Sequence, residues 1–229
     1  MIEQKIGTHK ILIELPEQGL RQTRNAAIFL NDGGMLSQFQ LQAGNAVLFG
    51  IVPNDRLSEY TPWHEKAIKP GAPDFGGQLS RYHAELLTEI LPPLVQEYHL
   101  DSAQLAYGGF SLGGLAAVLS LWETERFRYV FSLCGSFWYP SVLDFMAREQ
   151  AVSRNAELLL LNGAQEGKNH NNRLGGAAFC AKQAHQLLKE KFCVTSVIDE
   201  YAHHERKAER LQLAVSWLEK RFSREENAL

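Results

Sequence analysis

The chain has 229 residues, of which 45% are hydrophobic and 21% charged, and its net charge is −3. That content suffices for a sizeable core, and the charge balance offers no basic field for nucleic acid or an anionic membrane surface. Cys134, Cys180 and Cys193 lack metal-ligand spacing and read as reduced thiols in or near the core. No run approaches the roughly 18 apolar residues of a membrane span, and Met1-Ile2-Glu3-Gln4-Lys5 opens no apolar leader. A soluble cytoplasmic protein is expected.

In chain order, residues 5–16 alternate loosely through Ile11, Ile13 and Leu15 and predict an edge strand ended by Pro16. Continuous apolar runs follow at Ala26–Leu30, closed by Asn31-Asp32-Gly33-Gly34, and at Ala46–Val52, closed by Pro53-Asn54-Asp55. Such runs, bounded by turn residues, suit strands buried on both faces of a parallel sheet. Leu79, Tyr82, Leu86, Ile90, Leu94 and Tyr98 form a helical stripe, which Pro92-Pro93 should kink or split. A short apolar run then reaches Phe110, and an Ala/Leu-rich segment continues to Trp122. Tyr129–Cys134 and Leu158–Leu161 predict further strands, 176–191 a helix, and Val194–Ile198 a last strand. Leu211, Val215, Leu218 and Phe222 mark a closing amphipathic helix.

Strands alternating with helices predict a doubly wound α/β fold, a mostly parallel sheet with helices on both faces. No linker, low-complexity tract or repeat divides residues 1–229, so a single domain is expected. In such sheets ligands bind outside the carboxyl ends of the strands. The polar residues closing each run therefore share one rim: Asp32-Gly33-Gly34, Asn54-Asp55, Ser111, Gly135-Ser136, Gly163 to Glu166, and His203-His204.

Ser111 stands out on that rim. Gly109-x-Ser111-x-Gly113, between a predicted strand and helix, is the pattern that holds a serine on a strained turn with its Oγ exposed. Side chains at 109 or 113 would crowd such a turn. A serine hydroxyl needs a base to take its proton, and the base needs a third group to orient it. The chain supplies these in the order serine, acid, histidine. Glu166 follows the 158–161 strand, and His203-His204 follow the last strand. Asp199 is the rival acid, but it lies so close to the histidines that it should share their strand. The serine leaves both histidines open as its base, with spacing to the final helix favouring His204. His9, His99 and His185 read as surface or helix-edge positions, and His170 as a loop residue shaping the rim rather than a metal ligand. The oxyanion of acyl transfer should meet the N–H of Leu112 and a second N–H from the Asp32-Gly33-Gly34 loop.

These residues carry a resemblance. The chain is similar to the putative-esterase family of α/β-hydrolases, which includes enterochelin esterase, esterase D, feruloyl esterases and the mycolyltransferases. The likeness runs over roughly residues 25–220. Its strongest block is Ser111-Leu112-Gly113-Gly114-Leu115-Ala116-Ala117, with Glu125-Arg126-Phe127 and Gly135-Ser136-Phe137-Trp138-Tyr139-Pro140, closest to the enterochelin-esterase branch. Leu30-Asn31-Asp32-Gly33 and the segment from Asp55-Arg56 to Glu59-Tyr60-Thr61-Pro62 also match that branch. The resemblance implies Ser111 as nucleophile, Gly34 with Leu112 at the oxyanion positions, and Glu166 as acid. Aligning Ala202-His203-His204-Glu205 with the family's Gly-Gly-His-Asp implies His204 as base, with Arg210 at a following arginine. The chain departs from the family at both glycines of that motif and at Glu209, where tryptophan is usual. It is also too short for the N-terminal domain of enterochelin esterases.

The expected function is therefore a serine esterase, without cofactor or metal, acting on a small-molecule ester, either a siderophore ester or a small acyl ester. Trp138 and Tyr139 are expected to wall its pocket. Thioester hydrolysis or acyl transfer would use the same apparatus. A non-catalytic binding module on a hydrolase scaffold is the reading from another class. The sequence carries no signal for oligomeric state.

Overall fold

A computed structural model describes residues 1–42 and 44–226. Its strands are β1 (Ile2–Ile6), β2 (His9–Glu14), β3 (Asn25–Asn31), β4 (Ala46–Val52), β5 (His64–Glu65), β6 (Phe75–Gly76), β7 (Leu100–Phe110), β8 (Tyr129–Leu133), β9 (Glu157–Gly163) and β10 (Cys193–Asp199). Eight of them form one sheet in the order β1-β2-β4-β3-β7-β8-β9-β10, while β5 and β6 pair separately. From β4 to β10 every neighbouring pair in that sheet is parallel, and β1 and β2 add an antiparallel edge. The doubly wound, mostly parallel sheet expected of an α/β-hydrolase is the one found.

The helices are α1 (Met35–Phe39), α2 (Arg56–Glu59), α3 (Leu79–Glu85), α4 (Leu91–Glu97), α5 (Leu112–Leu119), α6 (Val142–Arg148), α7 (Ala177–Lys189) and α8 (Lys207–Glu226). Strand residues alternate between two cores, as a pleated strand requires. In β3, Ala27 and Phe29 enter the core built with α3 to α7, and Ala26, Ile28 and Leu30 enter the one capped by α1 and α8. The inner strands β3, β4 and β8 are thus apolar on both faces, which is why their runs read as unbroken. Among the described residues, no helix is long and apolar enough to cross a membrane.

One expectation needs correction. The segment expected as one edge strand over 5–16 is instead part of a hairpin, with Ile6 paired to His9 around Gly7-Thr8. Gly7 has φ +57°, so it turns the chain where a side chain would be strained. β1 is the true edge, β2 sits inside it, and His9 is buried rather than on the surface. The 77–98 stripe is interrupted, as Pro92-Pro93 predicts: a π turn over Leu86–Ile90 lies between α3 and α4, just ahead of both prolines. The backbone stays helical through the joint, with Ile90 at φ −85° and ψ −52°, and the wider turn is where the ladder adjusts to prolines that lack an N–H.

Because the inner strands run parallel, their carboxyl ends gather Asp32, Asn54, Ser111, Gly135, Gly163 and the chain after Asp199 on one rim. Phe29 anchors the sheet beneath it, fully buried and stacked on Phe49 with centroids 4.9 Å apart. Phe29→Ala is expected to cost about 3–5 kcal/mol, read as a lower urea midpoint at unchanged m-value.

Candidate active site

Ser111 sits where β7 passes into α5, with φ 59° and ψ −118°. That conformation is unfavourable for a side-chain-bearing residue and is held from several directions. Its N–H donates to the Leu133 carbonyl at 2.8 Å, and its carbonyl accepts from Ser136 N at 3.1 Å and Leu115 N at 3.0 Å. A Cβ on Gly109 would come within 2.6 Å of the Gly113 carbonyl carbon, so strand and helix can only pack this closely through glycine.

His203 faces the serine. Its Nε2 lies 3.0 Å from Ser111 Oγ, and its Nδ1 lies 2.7 Å from Glu166 Oε2. With a carboxylate on Nδ1, that nitrogen carries the proton and Nε2 is left to accept from the serine hydroxyl. Glu166 comes from the turn after β9, as expected, and its other oxygen accepts from Gly163 N at 2.6 Å and Asn162 Nδ2 at 3.1 Å. Burial alone would raise the Glu166 pKa. The hydrogen bonds from His203, Gly163 and Asn162 outweigh it and hold the carboxyl below its ordinary value.

The sequence favoured His204; the ring that reaches the serine belongs to His203. His204 instead stacks edge-on against His203, with centroids 4.8 Å apart, and lines the cavity mouth. The cause lies in the loop's path. Ala164 N donates to the Asp199 carbonyl and Gln165 N to the Tyr201 carbonyl, so the chain leaving β10 lies along the Glu166 turn. Gly163 permits the approach, since a Cβ there would collide with the Tyr201 carbonyl. Packed this way, the loop turns His203 rather than His204 toward Ser111. Arg210, buried on α8, then ties it down. It donates twice to Asp199, at 2.6 and 2.8 Å, and to the carbonyls of Ala202 and His203 at 3.1 and 3.4 Å. Asp199, the rival acid, is spent on this pair.

A cavity of about 390 Å³ opens over these groups. Leu57, Ile68, Phe75, Trp138 and Leu174 supply its apolar wall, and Arg56, Lys69 and His170 its polar rim. Trp138 is therefore where it was expected. Tyr139 is not: it is 2% exposed, packs against Trp63 and Phe75, and donates its hydroxyl to the Trp63 carbonyl. The Trp138 and Tyr139 rings lie 6.1 Å apart and both pack on Phe75, Trp138 on the cavity side and Tyr139 in the core beneath. Arg173 braces the wall from behind, lying over the rings of Phe75 and Trp138 and bonded to Glu65 and the Lys66 carbonyl. No sequence signal marked that role.

Leu112 is the first residue of α5, so its N–H has no carbonyl a turn back to bond. In the loop after β3, Gly33 N bonds the Ile51 carbonyl and Met35 N the Asp32 carbonyl, and among the described residues Gly34 N has no partner. This loop abuts the turn at Ser111, for the Asn31 Cβ would lie 2.9 Å from a Cβ on either Gly109 or Gly113. Leu112 lines the cavity; Gly34 does not. Cys134, Glu166 and His203 bring donor atoms within 4.8 Å of one another, the one such metal-ligand group among the described residues. Two of the three are already bonded to each other, and the Arg210 guanidinium donates to Cys134 Sγ at 2.8 Å, leaving a cation at the third. The arrangement is suited to moving a proton off Ser111, not to holding a metal.

The chain matches a family described as "Putative esterase" over residues 7–216. It is 25% identical over 236 residues, covering 94% of each chain, to the uncharacterized protein YbbA of Bacillus subtilis (strain 168). Among solved structures it is similar to an IroE-like serine hydrolase from Shewanella oneidensis, with a TM-score of 0.74, 18% identity, and 93% of this chain and 76% of that one covered. It is also similar to the siderophore hydrolase EstA from Aspergillus nidulans, with a TM-score of 0.71, 17% identity, and 93% and 90% covered. At such identities the structural likeness establishes the fold.

The Glu166 environment makes a stability prediction. A depressed carboxyl contributes stability above its unfolded pKa, near 4.5, and loses it as pH falls through the lower folded value. The unfolding free energy of the wild type should therefore exceed that of Glu166→Gln at pH 6, and the difference should shrink on acidification below 4.5, as followed by urea titrations across that range.

Proposed function

Because the chain belongs to the putative-esterase family of ester-bond hydrolases, we propose that it is a serine esterase working through Ser111, His203 and Glu166. The observation that carries this reading is the His203 ring, hydrogen-bonded to the serine hydroxyl through one nitrogen and to a buried carboxylate through the other.

As Ser111 Oγ attacks the ester carbonyl carbon, its proton passes to His203 Nε2. The imidazolium so formed is stabilised by Glu166, which stays ionised. The carbonyl oxygen becomes an oxyanion, which the Leu112 N–H at the start of α5, in the cavity lining, is placed to meet; the Gly34 N–H, expected as the second donor, lies outside that lining. When the tetrahedral centre collapses, the C–O bond to the alcohol breaks and His203 returns the proton to the departing oxygen. The acyl group is left on Ser111. Water, deprotonated by His203, then attacks the acyl carbon, and the acid leaves as Ser111 recovers its hydrogen. The nucleophile, base and orienting acid are all side chains, so the scheme calls for no cofactor.

The substrate is proposed to be a small-molecule ester. A cavity of about 390 Å³ with Trp138 and Phe75 in its wall suits a compact apolar or aromatic portion, with the remainder of the molecule at the open rim. A siderophore ester, the class named for EstA, is one such substrate.

Ser111→Ala is expected to abolish hydrolysis of p-nitrophenyl acetate while leaving the circular dichroism spectrum unchanged. His203→Ala should lower kcat by at least about a thousandfold, whereas His204→Ala should keep kcat close to wild type. Equal losses from the two histidine variants would contradict the assignment.

A further inference from the structure

Behind the triad lies a set of buried polar groups that the hydrolytic scheme does not use. Asn162, near the end of β9, is 1% exposed, and His185, in the middle of α7, is 3% exposed. Both need partners at such depth, because an unbonded polar group there is costly.

Their donor and acceptor roles follow from their neighbours. Asn162 Nδ2 faces two acceptors, Glu166 Oε1 at 3.1 Å and the Gly135 carbonyl at 3.3 Å. Neither can donate, so the amide nitrogen is fixed on that side and Asn162 Oδ1 turns the other way. There it meets His185 Nε2 at 3.1 Å, which must carry a hydrogen to bond it. Burial pushes the His185 pKa down to about 4, with Lys189 on the same helix adding to the effect and Glu166 opposing it. The ring is therefore neutral at ordinary pH, and its Nδ1 is an acceptor for the Ser196 hydroxyl of β10, 2.9 Å away. Phe137 packs edge-on against the ring and closes off the remaining side.

We propose that Ser196, His185 and Asn162 form a one-way hydrogen-bond chain that locks the Glu166 carboxylate in register with His203, with His185 and Asn162 as positioning residues for catalysis. The proposal rests on the Ser111–His203–Glu166 reading. Every link has one direction: Ser196 to His185, His185 to Asn162, Asn162 to Glu166. Rotating the Asn162 amide would set oxygen against the carboxylate and N–H against N–H at His185, so the chain admits a single arrangement. Glu166 Oε1 is held by the Gly163 N–H at 2.6 Å and by Asn162 Nδ2 at 3.1 Å, and this second bond, from a different direction, fixes the plane in which Oε2 meets the imidazole. His185 itself touches neither substrate nor reacting atoms.

The test compares His185→Leu, which removes the donor, with His185→Gln, whose amide N–H can stand where Nε2–H was. Misplacement of a catalytic group by a fraction of an ångström costs rate, not substrate affinity. His185→Leu should lose about tenfold in kcat on p-nitrophenyl acetate at unchanged KM. It should also shift the downfield proton resonance of the His203–Glu166 hydrogen bond, and His185→Gln should restore both. Wild-type kcat and resonance in His185→Leu would overturn the proposal, as would a loss that glutamine fails to restore. Should the leucine variant not fold, Asn162→Ala decides by the same two readouts. Ser111→Ala is run alongside. If it retains activity, the underlying triad reading falls; if it is inactive while His185→Leu is fully active, only the positioning chain falls.

Discussion

Everything on the rim is arranged around one imidazole that must satisfy two partners at once. His203 lies 3.0 Å from Ser111 Oγ and 2.7 Å from Glu166 Oε2, and those atoms come from the ends of two different strands. A parallel sheet provides this at little cost, because its carboxyl ends already lie side by side. What it does not provide is fine placement, which comes from three local devices. Ser111 is forced to φ 59° by a turn too tight for side chains at Gly109. Gly163 lets the histidine loop press onto the Glu166 turn, and Arg210 fastens that loop through its carbonyls and Asp199. Reactive geometry thus rests on backbone packing, where a shift of an ångström would be felt.

The electrostatics follow the same logic. An ionised carboxylate buried as deeply as Glu166 is costly unless its oxygens are fully bonded. Here each oxygen has partners, and they hold the carboxyl below its ordinary value despite its burial. The aromatic wall is braced separately. Arg173 joins Phe75, Trp138, Glu65 and the Lys66 carbonyl, so the aromatic wall of the cavity is tied to the segment that carries β5 and β6.

The legible parts of the sequence were those set by local rules. Parallel strands buried on both sides leave continuous apolar runs, so β3, β4, β8 and β9 could be read almost to their ends. The positions of Ser111 and Glu166 on the rim were legible because each sits in a short turn whose residues fix its own geometry. His203 was harder, since the choice between it and His204 depends on how a loop packs against a turn 37 residues away. Tyr139 goes to the core because its hydroxyl finds the Trp63 carbonyl and its ring packs on Trp63 and Phe75, partners brought by a segment more than 60 residues upstream. His9 and His185 read as surface positions because polar residues usually are. Their burial depends on partners brought by distant chain, Glu59 for His9 and Asn162 for His185. The hairpin at the N-terminus hid behind a two-residue turn, Gly7-Thr8, inside what looked like a single strand.

The central claim is that His203 makes the Ser111 hydroxyl reactive. A fluorophosphonate, which bonds only to an activated serine, tests it most directly when the modified peptide is identified by mass spectrometry and its rate of formation is followed. The adduct should appear on Ser111, at the same rate with or without the His204 ring, and at a rate lowered by orders of magnitude in His203→Ala. An adduct on another residue, or one formed on Ser111 at an undiminished rate without His203, would contradict the account.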